Sequence, residues 1–226
     1  MIDDPEREKV LRRIMNWLNI QKNDVVLDIA CGDGFFFKSI DLQTSDVNVV
    51  GCDIRISRKR KFNLPMVICD AHQLPFRDKT VNKIIMNEVL EHLPNGELAC
   101  NEILRVLVTE GRAYIATSNS YKDMLKPFAI LARRVDIYKG HIKHFSREEL
   151  DKMLFNNRLK TLYFQYDGFF ALFLYYSIIY YVLKPLVARK STISSHYLLE
   201  SGFGKGSFFQ LSYGLRKYIY LFILGK

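Results

Sequence analysis

Residues 25–34, Val-Val-Leu-Asp-Ile-Ala-Cys-Gly-Asp-Gly, constrain the fold of this 226-residue chain more than any other stretch. A run of β-branched and apolar residues ends abruptly there in a turn with two glycines. This pattern is typical of a buried parallel strand that leads into a ligand-binding loop, because α/β sheets bind ligands at the carboxyl ends of their strands. Gly32 and Gly34 can adopt positive φ, and they carry no Cβ that would keep a ligand away from the backbone.

Four further apolar runs predict more strands, over residues 47–54, 66–71, 83–88 and 112–119. Short apolar strands that alternate with amphipathic stretches require crossover helices and a parallel sheet. Asp28 lies inside the first strand, Asp53 near the end of the second and Asp70 near the end of the third. Asp53 and Asp70 could be ordinary turn acids, but three acids at three successive strand ends favour a shared ligand.

With these residues in place, the chain resembles the class I S-adenosylmethionine-dependent methyltransferases. Their first motif is close to V-L-D-x-x-C-G-x-G, and residues 30–34 (Ala-Cys-Gly-Asp-Gly) fit it closely. The resemblance covers residues 1 to about 167. It implies an α/β, Rossmann-like fold: a seven-stranded, mostly parallel sheet with helices on both faces and an antiparallel last strand. The sixth strand is then expected over 159–166, and the last strand over 217–226 beside it.

The resemblance implies S-adenosylmethionine as the cofactor and places it at the strand ends. Asp28 and the glycine loop are expected to hold its methionine end. Asp53 is expected to accept hydrogen bonds from the ribose hydroxyls, and Asp70 to lie beside the adenine amino group. The full set of predicted cofactor-binding residues is Asp28, Ala30, Cys31, Gly32, Gly34, Asp53, Ile54, Asp70, Ala71, Asn87 and Glu88.

Two histidines, His141 and His144, are the predicted catalytic residues. Residues 146–149 (Ser-Arg-Glu-Glu) form a capping box, which predicts a helix over about 147–156 and makes residues 140–144 the loop that enters it. The resemblance places this loop on the acceptor side of the site. Imidazole titrates in the useful pH range, so these side chains could deprotonate or orient a hydroxyl or an acidic carbon. The alternative is that they only bind the loop backbone.

The four cysteines include no Cys-x-x-Cys pair, so neither a metal site nor a disulfide framework is expected. Cys31, Cys52 and Cys69 fall at strand ends, where a thiol acts as a small apolar side chain. Residues 1–7 lack the apolar core of a signal peptide, which favours a cytoplasmic protein. The sequence does not indicate the oligomeric state.

The C-terminal quarter departs from a minimal methyltransferase. Residues 169–226 hold 15 of the 29 Phe and Tyr residues and seven Lys or Arg residues against one acid. We expect a methyltransferase core over 1–167, a hydrophobic and basic helical insertion over 168–216, and the final core strand over 217–226. Residues 169–183 are uncharged, but a 15-residue helix reaches only about 22 Å, short of a roughly 30 Å hydrocarbon layer.

Three interpretations of the segment over 169–190 remain open. It could lie in the plane of the inner membrane surface, with its basic residues against anionic lipid. It could instead cover an apolar acceptor pocket or form a dimer interface. It could also be an ordinary buried helix. Peripheral membrane contact combined with an apolar acceptor is the interpretation that we take as the expectation.

The expected function is methyl transfer to a small or lipid-linked acceptor, such as a quinone, a polyprenyl-linked sugar or a lipid headgroup. Residues 87–90 (Asn-Glu-Val-Leu) lack the Asn/Asp-Pro-Pro-Tyr/Phe motif of enzymes that methylate exocyclic amines of nucleic acids. Nucleic acid is therefore the less favoured partner. An RNA methyltransferase that uses the net charge of +9 and a non-catalytic cofactor-binding scaffold are the alternatives.

Overall fold

The computed structural model describes residues 5–34, 36, 40, 46–55, 65–118, 120, 140–165 and 221–225. With the exception of Gly140, they all belong to one compact unit, made of Met1–Ser120, His141–Gln165 and Tyr220–Lys226. The second unit comprises Tyr121–Gly140 and Tyr166–Ile219. The predicted insertion over 168–216 therefore lies outside the described residues.

Seven strands form one sheet. They are β1 (Val25–Ile29), β2 (Asn48–Asp53), β3 (Met66–Ile68), β4 (Val81–Asn87), β5 (Leu107–Ala116), β6 (Lys160–Gln165) and β7 (Leu221–Gly225). Their order is β3-β2-β1-β4-β5-β7-β6. The pairs among β1–β5 are parallel, whereas β7 lies antiparallel between β5 and β6. The predicted fold class, including the antiparallel last strand beside the sixth, is confirmed.

Three α-helices in the described residues begin where local sequence signals predict. Helix α1 (Pro5–Leu18) begins with a proline, whose missing amide hydrogen is harmless in a first turn. Helix α2 (Gly96–Val106) is capped by Asn95, whose side chain accepts a hydrogen bond from the Leu98 amide. Helix α3 (Arg147–Asn156) begins with the complete Ser146–Glu149 capping box.

Both faces of the sheet are covered, as expected for parallel strands with crossover helices. In β4, Ile84 and Met86 point to one face and join the apolar cluster that includes residues of α2 and α3. Ile85 points to the other face and is equally buried, at 0% exposed. On that second face, Asp28 of β1 is the register partner of Ile85.

The start of β5 differs from the prediction. The apolar pattern over 98–107 predicts a helix that Gly111 would stop, followed by a strand from Arg112. In the structure α2 ends at Val106, and β5 begins at once with Leu107. Gly111 lies inside β5, where an added Cβ would come within 2.6 Å of Leu107 Cγ. Close packing, not a helix stop, explains this glycine, and an apolar run alone does not mark the change from helix to strand.

At the far edge of the sheet, the last residue of β6 pairs with the first residue of β7, Gln165 with Leu221. The chain thus leaves the sheet after β6 and re-enters it beside the point of departure. In the part of the chain that the structure describes, every helix is too short or too polar to cross a bilayer.

Candidate functional site

The carboxyl ends of five parallel strands form one edge of the sheet, and the strand order reverses there. From β1 the chain proceeds outward to β2 and β3 on one side, and then to β4 and β5 on the other. Such a topological switch point is where open α/β sheets bind ligands. The residues predicted for cofactor binding lie in the last two residues of these strands or in the segments that follow them, so the fold brings them to one edge.

The loop after β1 has an unusual backbone. Ala30, Gly32 and Gly34 all have positive φ, at 56°, 56° and 83°. Two short hydrogen bonds hold the loop: the Cys31 amide donates to the carbonyl of Cys52 at 3.0 Å, and the Gly34 amide donates to the carbonyl of Cys31 at 2.8 Å. A non-glycine residue such as Ala30 adopts this conformation only at a cost of about 1–3 kcal/mol, and such strain is concentrated at functional sites.

Gly32 faces open space. A Cβ built on it meets no other heavy atom within 4 Å. The backbone of the loop is therefore accessible to a ligand at Gly32. Asp28, which precedes the loop, is buried at 2% exposed.

Asp53, at the end of β2, is joined to this loop. Its Oδ2 accepts a hydrogen bond from the Gly32 amide at 2.9 Å, and its Oδ1 accepts one from the Arg55 amide at 3.2 Å. Ionised carboxylate oxygens accept about four hydrogen bonds in total, so Asp53 retains capacity for a ligand. The next residue, Ile54, is 70% exposed, which provides an apolar surface beside the carboxylate.

Asp70, just after β3, lies in a turn with a histidine that the sequence analysis did not identify. Its Oδ1 accepts hydrogen bonds from the His72 amide at 2.9 Å and contacts His72 Nδ1 at 2.6 Å. The backbone hydrogen bond from His72 is the main cause of a lowered pKa of Asp70, and the imidazole lowers it further. An Asp two residues before a His is a local signal for such a turn. Ala71, between them, is half-buried.

The strand-end cysteines include one interacting pair. All four cysteines are free thiols. A hydrogen bond between the Cys52 and Cys69 thiols, together with burial, raises the pKa of Cys52. The same hydrogen bond lowers the pKa of Cys69.

At the end of β4, two predicted residues lie between the loop after β1 and the end of β5. Asn87 is half-buried, and its Oδ1 accepts a hydrogen bond from the Tyr114 hydroxyl at 3.5 Å. Glu88 is exposed, has a φ of 57°, and its amide donates to the carbonyl of Ala116 at 2.8 Å. Glu88 is thus a second non-glycine residue with a left-handed backbone at this edge of the sheet.

Glu91 organises the β5 side, and sequence reasoning missed it. It lies in a short 3₁₀ helix (Leu90–His92) and is 0% exposed. Its carboxylate accepts hydrogen bonds from the Thr117 hydroxyl at 2.8 Å and the Ser118 hydroxyl at 2.9 Å. Its carbonyl accepts from the amides of Ile142 and Lys143, at 2.7 and 3.2 Å. One residue therefore joins the end of β5 to the histidine loop.

Three histidines meet beside Glu91. The rings of His92 and His141 are 4.8 Å apart between centroids, and those of His141 and His144 are 5.4 Å apart. The Ser118 hydroxyl lies 3.3 Å from Nδ1 of His141. His141 and His144 are half-buried, and His92 is exposed. The two histidines predicted for catalysis therefore lie together at the β5 end of the site, and His92 joins them.

Comparison with known proteins finds similarity to methyltransferases over part of the chain. A family model described as "Methyltransferase domain" matches residues 27–115. The human protein named "Probable tRNA methyltransferase 9B" is 33% identical over 118 residues, which are 48% of this chain and 25% of that protein. A demethylmenaquinone methyltransferase of Beutenbergia cavernae is 30% identical over 110 residues, 46% of this chain and 45% of that protein. The chain thus spans less than half of the length of these relatives.

One solved structure shows how far the fold is shared. Geranyl diphosphate C-methyltransferase from Streptomyces coelicolor A3(2) superposes with a TM-score of 0.64 at 16% identity, covering 97% of this chain and 80% of that chain. At this identity the likeness establishes the fold alone.

Proposed function

The chain belongs to the class I S-adenosylmethionine-dependent methyltransferases, and we propose that it transfers the methyl group to a small or lipid-linked acceptor that ionises at a hydroxyl or an acidic carbon. One observation carries the proposal. The glycine loop joined to Asp53 and the cluster of His141 and His144 lie at the same edge of the sheet, on either side of the end of β4.

The residues at the β1–β3 ends fit the cofactor. Gly32 borders open space, Asp53 has lone pairs available for hydroxyl donors, and the exposed Ile54 offers an apolar surface for a planar ring. Asp70, with its lowered pKa, is an ionised acceptor suited to an amino group. When bound, the cofactor supplies a methyl group activated by a sulfonium.

The residues on the acceptor side can orient the acceptor and remove its proton. An in-line displacement needs alignment of the two reactants and exclusion of water more than it needs covalent chemistry. Ser118 contacts His141 and so restricts the orientation of its ring. His144 or His141 takes the proton of the acceptor, which generates the nucleophile near neutral pH.

A labelled methyl donor tests the proposal. The full chain is incubated with radiolabelled donor and a fractionated cell extract, and label is counted in lipid, small solutes, RNA and protein. We expect label in the lipid or small-solute fraction, and we expect a Asp53→Asn variant to lose it. Asp46→Asn, which removes an exposed carboxylate 3.2 Å from Lys22, is the matched control and should retain it. Cofactor binding without label in any fraction would refute catalysis and favour the scaffold alternative.

The finer proposal is that the acceptor is apolar and is met at a membrane surface. Its support is the uncharged run over 169–183, which basic residues follow, together with the similarity to a demethylmenaquinone methyltransferase. Vesicle flotation compares the full chain with a variant whose apolar residues over 169–190 are made polar. Flotation of the parent on anionic vesicles and loss of flotation in the variant support the idea, and equal flotation of both removes it.

RNA is the second candidate acceptor. Two observations favour it: the net charge of +9 and the similarity to a protein named as a tRNA methyltransferase. Label in the RNA fraction, together with RNA binding that weakens steeply as salt rises, would support it over the first proposal.

A further inference from the structure

Three side chains at the β4–β5 end of the site bring metal-binding atoms together. One ligand atom each from Glu91, His92 and His141 lies within 4.8 Å of the other two. We propose that these three residues bind one divalent transition-metal ion, with zinc as the ion that the donor set fits best. The site is separate from the predicted cofactor residues at the ends of β1–β3.

The chemistry of the donors favours a transition metal. Two imidazoles and one carboxylate form the ligand set of many catalytic zinc sites, which keep a fourth position for water or substrate. Mg²⁺ and Ca²⁺ instead prefer sites made of oxygen ligands. Ligand atoms around tetrahedral zinc lie roughly 3.3 Å apart, so the ligand atoms, now within 4.8 Å of one another, must draw together by up to about 1.5 Å on binding.

Glu91 provides the strongest electrostatic argument. It is fully buried, and its carboxylate accepts hydrogen bonds from the Thr117 and Ser118 hydroxyls, which carry no net charge. Among the ion pairs of the described residues, none joins a lysine or arginine to this carboxylate. Buried charges are normally paired or coordinate metals because desolvation is costly. A cation between Glu91 and the histidines supplies the compensating charge.

The surroundings hold the three donors in place. Residues that bind metals are normally oriented by further hydrogen bonds, and losing such a bond weakens metal binding. Ser118 contacts a ligand of each kind, the carboxylate and an imidazole. Its hydroxyl donates a hydrogen bond to Glu91 and lies 3.3 Å from Nδ1 of His141. The carbonyl of Glu91, which accepts from the amides of Ile142 and Lys143, fixes the histidine loop beside the 3₁₀ helix.

The role of the ion rests on the proposed function. A hydroxyl bound at the open position of the metal has a lowered pKa. Its proton leaves to the surrounding water. The oxygen then attacks the methyl carbon: the O–C bond forms, the S–C bond breaks, and its electron pair remains on sulfur. His141 thereby acts as a ligand of the ion in this step.

Metal titration of the full chain tests the site without any acceptor. The protein is stripped with a chelator and titrated with Co²⁺, whose visible absorption reports coordination, and then with Zn²⁺ in competition. We expect one ion per chain. His92→Asn and His141→Asn should each weaken metal binding by more than about 100-fold, because losing only a residue that hydrogen-bonds to a metal ligand already lowers metal affinity about 10–100-fold. His196→Gln, which removes a histidine outside the set, should bind as the parent does.

Each result has a defined meaning. Absence of stoichiometric binding, or equal binding in the His92 and His141 variants, overturns the site. His92 is exposed, so its variant should fold even if the His141 variant does not, and thermal unfolding checks both. If the stripped protein transfers methyl groups as fast as the loaded one, the catalytic role is overturned. If cobalt binds as expected but no acceptor is methylated, the proposed function fails while the metal site stands.

Discussion

Replacing Gly32 with alanine separates ligand contact from backbone strain. Gly32 has a φ of 56°, and an added Cβ would meet no protein atom within 4 Å. The methyl group therefore clashes with nothing in the protein, and the only cost to folding is the left-handed backbone. That cost is about 1–2 kcal/mol for a residue with a Cβ, which lowers the melting temperature by about 2–8 °C in a chain of this size.

The effect on cofactor binding should be separate and larger. If the open space at Gly32 receives the cofactor, the new methyl group occupies part of it and forces the ligand or the loop to move. We expect affinity for S-adenosylmethionine to fall at least about tenfold, equivalent to about 1.4 kcal/mol. Isothermal titration calorimetry on the folded variant measures this, and differential scanning calorimetry measures the stability.

Gly140 offers a matched control. It also has a positive φ, of 73°, and its added Cβ would likewise meet nothing within 4 Å. Gly140→Ala should therefore lose similar stability but bind the cofactor as the parent does. Unchanged affinity in Gly32→Ala, or an equal loss in both variants, would refute the assignment of the open space to the cofactor.

Four further changes have defined outcomes. Asp53→Asn should weaken cofactor binding at least about tenfold in equilibrium dialysis, because it removes the charge that accepts from the Gly32 amide, whereas Asp46→Asn should not. Ser146→Ala removes the capping box of α3 and should cost about 1 kcal/mol, a fall of about 2–4 °C in melting temperature, with cofactor affinity unchanged. His144→Gln should lower kcat about 100-fold or more without weakening cofactor binding; an unchanged kcat would exclude a role in proton transfer. His72→Ala should raise the pKa of Asp70, followed by NMR, only part of the way to its ordinary value, since the backbone amide that lowers it most remains. Because the pKa of Asp70 is lower in the folded than in the unfolded protein, its stabilising contribution is present above the unfolded pKa and is lost as the pH falls through the folded pKa. The His72→Ala variant should therefore lose this contribution at a higher pH than the parent does.

The predictions that succeeded depend on local signals. The β1 run, the Asn95 cap and the Ser146–Glu149 box each involve residues close in sequence, and the structure has β1 and the helices where these signals indicate. The mostly parallel sheet, with an antiparallel last strand beside the sixth, follows from the family resemblance and the rules of parallel sheets. The positive φ of Gly32 follows from the absence of a side chain.

The features that sequence reasoning missed depend on distant contacts. Glu91 is an acid that local sequence would place at the surface, and the hydroxyls of Thr117 and Ser118 that bind its buried carboxylate come from 26 and 27 residues away. The early start of β5 at Leu107 has the same origin, since Val81 of β4 pairs with Leu107. An apolar residue at the end of a helix fits both the helical and the strand pattern of apolar residues. Pairing with the neighbouring strand decides which of the two structures forms.

The pairing of Gln165 with Leu221 bears on how such an enzyme could diversify. The core closes through these neighbouring positions, whatever the length of chain between them. Closing a flexible connection twice as long costs only about 0.6 kcal/mol more, so this junction tolerates exchange of whole segments. Segments joined at this point can therefore be exchanged while the pairing of β1, β2 and β3, at the opposite flank of the sheet, is inherited unaltered.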